Sequence, residues 1–91
     1  MSPRDSPLAD KSDLVEWLLE ALRGKRGRLS IVDACKHVWN HHEADLRRSG
    51  DLFYTWQYDI RWAAYRLRKQ GLMRPEAASP RGVWELAQPP R

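Results

Sequence analysis

The sequence predicts a mainly helical α+β domain of the winged helix-turn-helix class, three helices followed by a C-terminal β-hairpin wing, on three observations. Three stretches repeat apolar residues at i, i+3, i+4 and i+7, the period of a helix with one buried face. After Gly71 that period stops, and two short apolar runs flank the turn-forming Ala78-Ser79-Pro80-Arg81-Gly82. The third helical stretch is also the most basic, and that order of elements is the winged-helix order.

The first helix starts at Ser12, a capping residue, with Asp13 adding negative charge to the first turn. Leu14, Trp17, Leu18, Ala21 and Leu22 form its apolar face, and Gly24 and Gly27 end it. A short strand at Arg28-Leu29 is expected to complete the small sheet. Ser30 and Asp33 make a short-armed capping box that begins a second helix at Ile31. Its stripe is Ile31, Ala34, Cys35, Val38 and Trp39, with Lys36, His37, Asn40 and His41 facing away. The polar segment Glu43–Asp51 reads as a loop. A third helix is expected from Tyr54 to Gln70, with Phe53, Trp56, Ile60, Ala63, Ala64 and Leu67 as its core stripe. Leu72–Pro75 and Val83–Leu86 are the wing strands.

With 91 residues the chain has room for one domain, read here as 12–87, between a disordered arm (1–11) and a tail or linker start (88–91). Its formal charge of +4 is uneven: residues 1–45 sum to −1 and residues 46–91 to +5. A basic half favours a polyanionic partner. Cys35 is the single cysteine, which excludes an internal disulfide and a cysteine-rich zinc site and fits a reducing cytoplasm. The start carries no apolar signal segment, and no apolar run approaches the roughly 20 residues needed to span a bilayer.

Chemistry-bearing motifs are sparse. There is no Gly-rich phosphate loop, no His-Glu-x-x-His, no nucleophile with a clear base, and no nuclease-type Asp…Glu-x-Lys set, so no catalytic residue, cofactor or small-molecule substrate is assigned. His37 and His41 stand four residues apart with His42 beside them. No acid in the local sequence completes a metal set, so they read as solvated and no metal is assigned.

The third helix carries the strongest signal. Tyr54, Gln57, Tyr58, Arg61, Tyr65 and Arg68 fall on one aromatic and basic face. A major groove accepts such a helix, where Arg pairs with guanine and Gln with adenine. Tyr54, Gln57, Tyr58 and Arg61 are the candidate base contacts. Lys25, Arg26, Arg28, Tyr65, Arg68 and Arg81 are the candidate phosphate contacts, expected to bracket the groove-bound helix. The other reading of this face is a solvated surface with its tyrosines half-packed under the wing. Trp56 and Trp62 read as core, or as an aromatic wall that with Tyr54 and Tyr58 receives a modified base.

Phe53-Tyr54, Ile60-Arg61-Trp62-Ala63, Leu67-Arg68-Lys69-Gln70-Gly71-Leu72 and Ser79-Pro80-Arg81-Gly82-Val83-Trp84-Glu85-Leu86 together resemble the N-terminal winged-helix domain of Mrr-like restriction endonucleases. The pattern is also similar to winged-helix domains of methyladenine-dependent restriction enzymes, and it covers residues 12–87. The resemblance implies double-stranded DNA as partner, adenine-methylated in the second family, and a fused or associated nuclease. The family's usual Asn-Arg pair is replaced here by Tyr58-Asp59, so the resemblance carries fold and DNA binding without a target sequence. The alternative function for the same fold is a protein-interaction or dimerisation module, or a transcriptional regulator.

Overall fold

The computed structural model describes residues 9–87. Its order is α1 (Lys11–Gly24), β1 (Arg28–Ser30), α2 (Ile31–Arg47), α3 (Leu52–Lys69), a 3-10 turn at Glu76–Ala78, and β2 (Val83–Glu85). β1 and β2 pair antiparallel, Leu29 opposite Trp84, and Met73 bridges Leu86 on the other edge of β2. Backbone bonds from Arg74 N–H to the Glu85 carbonyl and from Ala87 N–H to the Leu72 carbonyl, both 2.9 Å, extend that second pairing. The result is the three-helix, winged arrangement that the sequence predicts, including the strand before α2. Of the two expected wing strands, Val83–Glu85 forms a strand, while Leu72–Pro75 contributes only the bridge at Met73 before a 3-10 turn.

One core joins all of the elements. Leu14, Leu18, Ala21 and Leu22 of α1, Ala34 and Val38 of α2, and Trp56, Ile60, Ala63, Ala64 and Leu67 of α3 are buried, with Leu29, Met73, Trp84 and Leu86 closing it from the sheet. The hairpin covers apolar surface that three short helices would leave wet, which a domain of this size needs.

Several boundaries differ from the sequence reading, each for a local reason. Asp10, not Ser12, caps α1: its carboxylate accepts from the Ser12 N–H, and the Asp13 side chain accepts from the Asp10 N–H in return. The helix therefore begins at Lys11, inside the stretch read as an arm. Residues 1–8 of that arm and the tail at 88–91 lie outside the described residues. Helix α2 does not stop at Glu43 but runs to Arg47, with non-helical backbone at His42 (φ −131°, ψ 20°). Fully buried Leu46 holds the continuation against the core. Only Arg48–Asp51 is left as a turn, so α3 begins at Leu52. At its other end Gly71 takes φ +77°, and Leu72 N–H bonds the Leu67 carbonyl at 2.9 Å while Gly71 N–H bonds that of Arg68 at 3.0 Å. That double closure needs a left-handed residue, which glycine supplies without steric cost.

Candidate functional site

Helix α3 touches α1 on one side and α2 on the other, and the third side is open. On the open side Tyr54, Tyr58 and Tyr65 are 82%, 76% and 53% exposed. The spacing 54, 58, 61, 65 keeps them and exposed Arg61 in one stripe. These exposures leave Tyr54 and Tyr58 unpacked by the wing, as a solvated helix face or a contact face would both require. Lys69 lies over the Tyr65 ring at 5.9 Å, which adds a second cation to the stripe. Asp59, one of the two residues that depart from the family pattern, accepts a 2.7 Å hydrogen bond from Thr55 Oγ1, as a neighbour one turn along α3.

Beside the stripe, the first half of α2 and the first half of α3 splay to leave an open groove of about 630 Å³. Ile31, Cys35, Trp39, Phe53 and Trp56 give it an apolar floor, and Lys36, Asn40, Gln57 and Arg61 give it a polar rim. Trp39 and Trp56 lie nearly parallel, 6.2 Å between centroids, and Phe53 tilts against Trp39 at 6.4 Å. Val32, also at the groove, is 63% exposed, an apolar side chain that the fold itself does not cover. Burial pushes the Cys35 thiol up from its ordinary pKa, while the Arg61 guanidinium pulls it back in part. Gln57 and Arg61 thus serve both surfaces, lining the groove and bordering the tyrosine stripe.

The four aromatics expected to form a modified-base pocket do not converge. Tyr54 and Tyr58 point outward, Trp56 is almost fully buried under the groove floor, and Trp62 lies on the side of α3 facing α1. There Lys11 and Arg66 sit over the Trp62 ring at 4.6 and 5.6 Å. The helical period explains the separation of Trp56, which stands two residues from Tyr54 and from Tyr58 and so on the opposite face of the helix. The sequence reading missed Val32, Cys35, Trp39 and Phe53 as groove residues. The signal was present: three of the four lie on core stripes too wide for one neighbouring helix to cover.

The expected phosphate contacts also divide. Arg81 sits at the turn whose Gly82 carbonyl accepts from Ile31 N–H at 2.9 Å, so it stands at the start of α2 and of the groove. Lys25 and Arg26 lie beyond the opposite end of β1, next to Gly27, whose carbonyl pairs with Leu86 N–H. The three-residue β1 separates them from Arg81. Arg28 reaches Glu85 at 3.6 Å, and Arg68 Nε donates to the Arg74 carbonyl at 3.1 Å, tying α3 to the wing. Among the described residues no carboxylate lies within 4.0 Å of the cations on Lys36, Arg61, Lys69 or Arg81.

His41 is exposed as expected, but His37 and His42 are partly buried against α1. Glu20 of α1, seventeen residues away in sequence, accepts from His37 Nε2 at 3.1 Å, and His42 Nε2 lies 3.4 Å from the same carboxylate. His42 stacks on Trp17 at 4.2 Å and His37 on His41 at 4.0 Å. These contacts hold the Glu20 carboxyl below its ordinary pKa, the His37 hydrogen bond contributing most. The acid came from another helix, where local spacing could not reveal it. No helix among the described residues is long and apolar enough to cross a membrane. No family model, curated protein or solved structure matches the chain.

Proposed function

We propose that the chain is a non-catalytic winged-helix module that binds double-stranded DNA. The α3 tyrosine stripe enters the major groove, and the α2–α3 groove faces the base edges. The observation that carries this reading is the join of three exposed tyrosines, an Arg61 with no carboxylate within 4.0 Å among the described residues, and an open apolar groove with an amide rim. Arg61 and Gln57 are the base readers, with Tyr54 and Tyr58 packing against sugars and bases. Arg81 beside the N-terminus of α2 is the phosphate anchor, where helix amides and a cation favour the same anion. The resemblance to Mrr-like and methyladenine-dependent enzymes supports the narrower reading, a targeting domain for a restriction-type nuclease acting on modified DNA. In that role the groove floor, rather than a four-aromatic pocket, takes the adenine N6-methyl group, which projects into the major groove.

The apolar groove and exposed tyrosines favour one other reading, a protein-docking surface, since aromatic side chains are enriched at interface centres. Salt separates the two. Neutralising about four phosphates lowers affinity on the order of 100-fold between 50 and 200 mM salt, through counterion release. Fluorescence anisotropy on a labelled duplex is expected to show that slope. Absence of binding at low salt, or binding indifferent to salt, contradicts the DNA reading and leaves protein docking.

A further inference from the structure

We propose that Glu20, His37 and His41 form a zinc-class divalent cation site that clamps α1 to α2 on the flank of α2 opposite the groove. One ligand atom from each of the three lies within 4.8 Å of the others. A tetrahedral zinc ion with arms of 2.0–2.1 Å places its ligands about 3.3 Å apart. The 3.1 Å from His37 Nε2 to Glu20 Oε2 already matches that edge, so only the exposed His41 ring, now stacked on His37, has to rotate and close in.

The surroundings prepare these groups for a cation. His41 Nδ1 lies 2.9 Å from the His37 carbonyl, which can only accept, so Nδ1 carries the proton and Nε2 keeps a bare lone pair. A metal-ligating imidazole is commonly fixed in this way by a backbone carbonyl. His42 holds the Glu20 carboxylate from its other side at 3.4 Å, and its own Nδ1 is 4.0 Å from Asp45. The non-helical backbone at His42 lets two consecutive histidines serve one cluster, which a regular helix would turn about 100° apart. Two imidazoles and a carboxylate are nitrogen and oxygen donors without thiolate, a set that suits zinc, nickel or copper rather than magnesium. On loading, the cation replaces the proton that His37 now shares with Glu20. Two His and one Glu leave a fourth position for water.

The site is separate from the proposed DNA surface, so its test stands or falls alone. Zinc sulfate titrated into the whole chain by calorimetry is expected to bind saturably at one equivalent, and magnesium is expected not to bind. Zinc at about 100-fold excess over its Kd raises Tm on the order of 10 °C. His41→Ala removes an exposed ligand without touching the core and should weaken binding about tenfold or more, as should Glu20→Gln. NMR of the wild-type chain should show zinc moving the His37 and His41 ring resonances. No saturable binding at millimolar zinc overturns the proposal. So does equal affinity in His41→Ala and Glu20→Gln, or zinc that moves only the Cys35 region.

Discussion

The two flanks of α2 differ in how completely the fold satisfies them. Toward α1, polar groups find partners: His37 and His42 meet Glu20, and His42 stacks on Trp17. Toward α3, apolar groups are left open: Val32 is largely exposed, and Cys35 and Trp39 line a groove that α3 does not fill. A small domain has little apolar surface to spare, and an uncovered stripe on one flank is what the proposed partner would cover. The closed flank holds the helix in place and the open flank presents it.

The largest expected effect concerns what holds α2 to the core beyond its kink. Leu46 belongs to neither flank and is fully buried. Leu46→Ala is expected to cost about 2–5 kcal/mol in urea denaturation, the range for a buried leucine truncated to alanine. A loss within about 0.5 kcal/mol would mean that Glu43–Arg47 is the surface loop suggested by its polarity.

The next effects sharpen the open flank. Arg61→Ala should lower affinity for the preferred duplex by about 1–3 kcal/mol and flatten sequence preference, whereas Arg81→Ala should weaken all duplexes alike. Competition titrations over several duplexes distinguish the two. An Arg61→Ala chain with its preference intact would move the recognition surface off α3. Smaller still is the methyl effect. One N6-methyl seated on the groove floor contributes roughly 0.8 kcal/mol, a few-fold preference, and two from a fully methylated palindrome approach tenfold or more. Equal affinity for unmethylated, hemimethylated and fully methylated duplexes would remove modification reading and leave DNA binding standing.

The smallest effect is read at Cys35. Burial raises its pKa, and the thiolate is the reactive form. Alkylation should therefore be slower than for a free thiol at pH 8, speed up as pH rises past the ordinary thiol range, and slow further when duplex covers the groove. Unchanged labelling with saturating DNA would place the DNA elsewhere.

The architecture was legible because periodicity and punctuation agree: three helical stripes, Gly71 ending α3, and turn residues at Ser79–Gly82 all mark what the structure contains. Boundaries that depend on a single side chain were less legible. Asp10 outcompetes Ser12 as a cap through a reciprocal bond with Asp13, and Leu46 outweighs six polar neighbours because it reaches the core. The exposed face of α3 followed from its period. The groove and the Glu20–histidine cluster did not, because each is made by two helices whose relative placement no local spacing encodes.

Backbone amide shift mapping with a short duplex tests the central claim, that the open flank of α2 and the exposed face of α3 form one DNA surface. The account predicts shifts confined to Ile31–Asn40, Phe53–Arg68 and the turn at Arg81, with the α1 amides around Glu20 unmoved. Shifts centred on α1, or spread evenly over the molecule at moderate salt, would contradict it.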